Sequence, residues 1–430
     1  MDLGWLFVAL IFSFASMFLF ASARFYRWFI LNNIKVLLVA LLATGLILFW
    51  SFGMQNAWDH LAKYTLDLVV SLLSLFYSEV TYVLESQTVG VRDFTVIINR
   101  LCSGYEGVGL VSSMLMIYLW LFRRQFRFPN ALILIPIGIC AIWLINVVRI
   151  AILVVIGAEL SPEIAIGGFH SHAGWLAFLL VTFVVLYFGG RVSFVRAPQE
   201  SVSKEQVSQG ALTSSQLLLA TVLLVPFIVL LLSTLLTGLI SADFQWAYPL
   251  RVILVMGALV VLWPQMRIGL SSFQYSGRTV FIAISVGIVA FLIWIALVDN
   301  DPVRSQLFAE TLFGASEWAA LTWLVFRIIG SCITVPIAEE FAFRGYFLAR
   351  LSGVQLSFTQ LQMTSVFAIA STSLAFGLLH NAWLAGAIVG SLYAMVRIYG
   401  GHLFLAVLSH SITNMCLCVY VIYTQSWSLL

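Results

Sequence analysis

Charge is what this sequence has least of. Asp, Glu, Lys and Arg make up 9% of its 430 residues, against about 25% in soluble domains. A water-exposed globule of that length cannot cover itself with so few charges. The hydrophobic residues, 62% of the chain, run continuously and do not alternate with polar ones, which argues against a membrane β-barrel. No internal repeat, low-complexity tract or His-Glu-x-x-His sequence is present, so neither a repeat array nor the common zinc-peptidase helix is expected. The net charge is only +3, and its basic residues are scattered through short loops, so no nucleic-acid partner is expected. The basic start of a cleaved signal peptide is missing too. Asp2 stands there, and Arg24 and Arg27 follow Ala21-Ser22-Ala23, so the first apolar run is expected to remain as an uncleaved span.

What fills the chain is long apolar runs, at 5–22, 34–52, 105–122, 129–157, 169–190, 216–240, 279–297 and 402–424. Most reach the roughly 20 residues that cross a hydrocarbon core. Backbone polar groups in lipid must be paired within the segment, so these are helices. The expectation is an all-α polytopic protein of the bilayer with about a dozen transmembrane helices. Basic loops at Arg24/Arg27/Lys35, Arg123/Arg124/Arg127, Arg191/Arg196/Lys204, Arg267/Arg278 and Arg344/Arg350 mark the cytoplasmic side. Only 53–101 breaks the alternation, because it must begin and end outside. The run at 60–84 carries Lys63, Asp67 and Glu79 and reads as a surface-lying or hairpin segment. TVGVRDFTVII at 88–98 reads as an external β-hairpin. Residues 191–215, rich in Ser, Gln and charge, read as a cytoplasmic linker between domains at 1–190 and 216–430.

In the first domain three polar residues share a depth. Cys102 lies 21 residues before Arg123, Arg149 lies 20 after Pro129, and His170 lies 21 before Arg191. At about 1.5 Å per residue each separation is roughly 30 Å, a full membrane width from a cytoplasmic anchor. All three should emerge near the outer face on different helices. Singly, each has an ordinary reading: a packing thiol, a snorkelling arginine, a headgroup-layer imidazole. Helix insertion does not require the three to coincide. A thiol, an imidazole base and a fixed guanidinium are the groups that form and stabilise an acyl-thioester. Cys140, Cys332, Cys416 and Cys418 read as packing, and His60 and His402 as interfacial residues.

Cys102-Ser103-Gly104, Asn146-x-x-Arg149 and His170-x-x-x-Gly174-Trp175 resemble the signature of the exosortase/archaeosortase family over roughly residues 1–190. The resemblance implies a membrane cysteine peptidase or transpeptidase that removes C-terminal sorting signals from exported proteins. It implies Cys102 as nucleophile, Arg149 as electrostatic partner and His170 as acid/base. His172 is the competing imidazole, and spacing to Gly174-Trp175 favours His170.

In the second domain the sequence PIAEEFAFRGY places Glu339, Glu340 and Arg344 within an apolar helix. Each charge there costs about 2.5–3.5 kcal/mol on insertion scales. Glu340 and Arg344, at i and i+4, are spaced to pair, which leaves Glu339 free as a base. Phe376-x-x-x-His380 and His410-x-x-x-Asn414 follow, each pair on one helix face. The bland readings are a structural ion pair and an interhelical hydrogen bond. The ordered set resembles the CAAX-prenyl-endopeptidase/bacteriocin-processing family of glutamate intramembrane proteases over about 215–430. By that resemblance Glu339 is the catalytic carboxylate, assisted by Glu340, Arg344, His380, His410 and Asn414, with no metal and no cofactor. Straight-helix arithmetic, however, puts Glu339 near the cytoplasmic side and His380 farther out.

The two resemblances in this order match the fused exosortase E/protease family, whose targets carry a VPEID-type C-terminal signal. They imply a bacterial inner-membrane enzyme with exported proteins as partners. The alternative is a transporter, which also carries intramembrane charge, or a non-catalytic membrane scaffold.

Overall fold

The computed structural model describes residues 23–98, 105–197, 214–241, 244–271, 276–359, 361 and 364–429. It is almost entirely helical, as an all-α polytopic membrane protein requires. Among the described residues eight helices are long and apolar enough to cross a bilayer, and Gly107–Leu121 and Val366–Gly377 are shorter apolar helices. The run at 5–22 lies outside the described residues. Large apolar side chains point outward throughout, among them Leu41, Leu75, Val261, Trp318 and Val366. Such a surface suits lipid and not water.

The chain divides into two compact units, residues 1–158 with 177–199, and 159–176 with 200–430. Residues 159–176 group with the second unit. The expected linker lies mostly outside the described residues. Its first part is seated on the first unit, where Arg127 N–H donates to Val195 O and Ala197 N–H to Gln125 O.

In the first unit α1 (Ala23–Leu73) is one continuous helix. The segment from 60 to 73 is therefore its end, and not a separate surface-lying or hairpin piece. Ala62, Thr65, Leu66, Val69 and Leu73 form a buried stripe, while Lys63 and Asp67 face away from it. The stripe packs on Val147, Ile150, Ala151 and Val154 of α3 (Leu134–Glu159). Trp143 Nε1 donates to Thr65 Oγ1 at 3.0 Å. The charges on one face and the packing on the other explain why the charged run is helical yet not superficial. Beyond it β1 (Thr81–Val83), β2 (Thr88–Val91) and β3 (Phe94–Ile97) form an antiparallel sheet, with Thr81 opposite Gly90 and Val91 opposite Phe94. The expected hairpin is β2–β3, joined at Arg92 in the left-handed region with φ 52°. A second apolar cluster joins α2 (Tyr105–Leu121) to α3 and to the 177–189 part of α4 (His170–Gly189), through Val111, Leu115, Ile142, Val181 and Val185.

The second unit is built on α5 (Ser214–Leu239), α6 (Tyr248–Ser271), α7 (Gly277–Leu297), α8 (Pro302–Phe313), α9 (Glu317–Leu351), α10 (Val366–Gly377), α11 (Trp383–Gly400) and α12 (Leu403–Thr424). Its core draws Leu223 and Phe227 from α5, Val255 and Leu259 from α6, Phe341 from α9, Phe376 from α10 and Tyr393 from α11. Two close helix contacts need glycine. A Cβ at Gly287 of α7 would run into Ser409 O on α12, and one at Gly377 into the backbone of α11. Small residues at such contacts are how helices approach in a bilayer.

Helix α9 is interrupted by π-helical segments at Gly330–Thr334 and Phe341–Phe347, on either side of Val335–Glu340. Single π turns of this kind recur at functional sites because they re-aim a helix face. Helix α10 has 12 residues and so rises only about 18 Å. His380 sits just beyond its end, within the protein, which removes the depth mismatch that straight spans imply.

His402 is not interfacial. It is 3% exposed and caps α12, accepting at Nδ1 from Phe404 N–H, while its Nε2 meets Gly269 O at 3.1 Å. Burial holds its pKa below the ordinary histidine value. The glycine pair before it is a turn, with Gly401 at φ 77°. Of the cysteines read as packing, Cys332 and Cys418 are buried with sulfurs 3.9 Å apart, Cys416 is half-buried, and Cys140 faces outward.

Candidate active sites

The second unit brings its expected residues together. Glu340 and Arg344 are fully buried, and their Oε1 and Nη1 are 3.0 Å apart. The second arm of the guanidinium, Nη2, donates to Gly390 O at 2.6 Å. The same Glu340 Oε1 meets His410 Nδ1 at 3.0 Å. Glu340 is thus the hub of a three-residue network tying α9, α11 and α12. Aromatic rings close it: His410 stacks on Tyr393 at 4.8 Å, and the Arg344 guanidinium lies 4.3 Å from the Phe376 ring centre. Compensation of the pair is partial, since Glu340 Oε2 and Arg344 Nε are buried with no hydrogen-bond partner among the described residues.

Glu339, the neighbour of that hub, is treated differently. It is 8% exposed, and its Oε2 is buried with no hydrogen-bond partner among the described residues. It lines a cavity of about 250 Å³ together with His380, His410 and Asn414. His410 and His380 are both within electrostatic range of it. His380 Nδ1 is 2.9 Å from Phe376 O. A carbonyl can only accept, so Nδ1 carries the proton and Nε2 is left for chemistry. In His410 the partner of Nδ1 is a carboxylate, and the same argument applies. Asn414 is fixed by donating from Nδ2 to Ser331 O at 2.7 Å. The cavity wall thus carries one carboxylate, two imidazoles and one amide. That is a general base with polar groups positioned to meet an oxyanion. Among the described residues no group of three His, Cys, Asp or Glu side chains is arranged to hold a metal ion.

Trp294, Tyr393, Arg251 and Arg327 are among the cavity residues that were not read from the sequence. The aromatics carry no motif. Arg251 does leave a signal, since it stands in the first turn of α6 on the side where the basic-loop rule places few cations.

Of the first-domain set, Arg149 and His170 are among the described residues and fall in different units. Cys102 lies outside the described residues. Arg149 is half-buried on α3 in the first unit, with Nε and Nη2 shielded from solvent, and Asn146 one turn before it is buried. His170 begins α4 and belongs to the second unit, directly after a π-helical turn at Ile164–Phe169. His172 is committed to structure. Its Nδ1 is 2.9 Å from Gly168 O, and its ring covers Gly238, where any Cβ would strike it.

The buried hub makes a stability prediction. Glu340→Leu leaves Arg344 as an uncompensated buried charge and should cost about 3–5 kcal/mol. Adding Arg344→Met should recover most of that loss in a detergent melting experiment, because two apolar groups replace the pair. Peptidase activity should not return with it, since His410 would still lack its partner. Failure of the double variant to melt above the single one would show that Arg344 is not the group Glu340 compensates.

Comparison with family models gives two matches. Residues 3–187 match the transmembrane exosortase family, and residues 321–416 match the type II CAAX prenyl endopeptidase Rce1-like family. Cys102, Arg149 and His170 fall inside the first span, and Glu339 through Asn414 inside the second. No curated protein and no solved structure matches the chain. The chain therefore carries an exosortase match in its first half and an Rce1-like CAAX endopeptidase match within its second, the order of the fusion that its motifs resemble.

Proposed function

We propose that this protein is a two-site peptidase of the bacterial inner membrane, serving exported proteins of the VPEID-type sorting system. Its second site is an intramembrane glutamate endopeptidase. Glu339 takes a proton from water, the hydroxide attacks the peptide carbonyl, and Asn414 donates to the oxyanion; as the tetrahedral adduct collapses the C–N bond breaks and Glu339 returns its proton to the leaving amine. His410 is oriented by Glu340, whose Oε1 lies 3.0 Å from its Nδ1. The single observation that supports this reading is the buried, unpartnered Glu339 Oε2 in the cavity that His380, His410 and Asn414 also line.

The first site is a cysteine peptidase or transpeptidase that recognises C-terminal sorting signals at the outer face. Cys102 attacks the scissile carbonyl, Arg149 steadies the charge, and His170 relays the proton to the leaving amine. The engagement of His172 with Gly168 and Gly238 supports His170 in that role.

The test is mass spectrometry of exported and membrane proteins from cells with and without the chain. Loss of the chain should leave a set of exported proteins with uncut C-terminal signals, and a second set of membrane peptides uncut elsewhere. Identical termini in both strains would reject the reading.

A further inference from the structure

The cavity beside Glu339 has a cationic end that the proposed chemistry does not use. Arg251, in the first turn of α6, and Arg327, on α9, both line it. Their guanidinium carbons lie 5.1 and 4.7 Å from the centre of one ring, that of Tyr248. Tyr248 is itself buried in an aromatic cluster with Trp323 and Phe244. Arg251 is held in place by neutral acceptors only. Nη2 donates to Thr237 Oγ1 at 3.0 Å and to Gln245 Oε1 at 3.3 Å. Its Nε is buried with no hydrogen-bond partner, and no Asp or Glu among the described residues pairs with it. A planar cation oriented by neutral groups at the wall of a cavity is arranged to receive an anion, and a carboxylate matches its fork. Arg251 also lies outside the 321–416 segment that matches the CAAX endopeptidase family.

We propose that Arg251, with Arg327 beside it, is a carboxylate subsite of the protease cavity that anchors one end of the substrate peptide. The inference rests on the peptidase reading of Glu339 and adds a substrate class to it: peptides with a carboxylate on one side of the scissile bond. Arg327 and Glu339 are 12 residues apart on α9, about 18 Å along the axis. An extended peptide covers about 3.3 Å per residue. No more than about five residues therefore separate the anchored carboxylate from the bond beside Glu339. The carboxylate comes either from a free chain end or from an acidic side chain.

The experiment uses the full chain carrying Glu339→Gln, which keeps the cavity and lacks the base. It is immobilised from detergent and offered equal mixtures of synthetic six-residue peptides. One mixture lacks Asp and Glu and ends in a free carboxylate, a second is the same set ending in an amide, and a third is amidated with one Asp or Glu. Capture of either carboxylate-bearing mixture at least about tenfold above the neutral one is expected, and which mixture wins identifies the source. Adding Arg251→Gln should bring that ratio close to one, while Arg251→Lys should retain part of it. Equal capture of all three mixtures by the Glu339→Gln chain overturns the subsite, whether or not the Arg251 variants fold. So does an undiminished ratio in a well-folded Arg251→Gln chain. Cleavage by the Glu339→Gln chain as fast as by the unsubstituted chain, with Cys102→Ala in both, would instead count against the peptidase reading, and is visible as shortened peptides in the same eluates.

Discussion

Glu339→Gln should lower the second cleavage activity by about 10²–10⁴-fold, the usual worth of a general base, with protein level unchanged. The substitution keeps the volume and the polar atoms but cannot accept a proton from water. It should spare the fold because the structural burden lies one residue on. Glu340, and not Glu339, holds Arg344 and His410. The contrast between adjacent carboxylates is the useful control. Glu340→Gln weakens two contacts and should lower both stability and activity, whereas Glu339→Gln should affect activity alone. New peptide termini in membranes, counted by mass spectrometry against immunoblotted protein, separate these outcomes. Full cleavage in the Glu339→Gln strain would reduce the cluster to a structural ion pair with an idle neighbour.

The ion pair was legible in the sequence because i, i+4 is a local relation that a π turn in the following segment does not undo. The Phe376–His380 spacing was legible only as one helix face, whereas His380 lies past the end of α10 with its Nδ1 against Phe376 O. The convergence of His380 with Glu339 was not legible. It depends on α10 being only 12 residues long, and in a chain where nearly every position is apolar the length of a hydrophobic run does not reveal where a helix stops. The π segments of α9 are hidden for the same reason, since a one-residue insertion shows only as a shift of polar against apolar positions. The charged stretch near Lys63 and Asp67 misled in the opposite sense. Charge on one face was read as a superficial segment, while the stripe Ala62, Leu66, Val69 and Leu73 on the other face keeps the helix packed. His402 read as interfacial because it fits neither constellation, and nothing local announces that Gly269 O waits for its Nε2.

Cys102→Ala should abolish sorting-signal removal, a fall of order 10³-fold or more, and leave the Glu339-dependent cleavage intact. The thiolate is the attacking species, and no other group in the proposed first site can form the acyl intermediate. Cys102→Ser tests this further, because a hydroxyl of similar size lacks the intrinsic reactivity of sulfur and should also fail. Arg149→Lys keeps the charge but loses the planar fork, so an intermediate loss is expected if the guanidinium makes two directed hydrogen bonds. A membrane-impermeant thiol reagent supplies the independent measurement. Cys140 faces outward from α3 and Cys332 and Cys418 are buried, so labelling in a Cys140→Ser background reports chiefly on Cys102. Rapid labelling that slows when His170 is replaced by Ala would place thiol and imidazole in one site at the outer face. Normal signal removal by the Cys102→Ala chain, at normal protein level, would remove the nucleophile from the proposal and with it the case that the first half of this chain acts through sulfur.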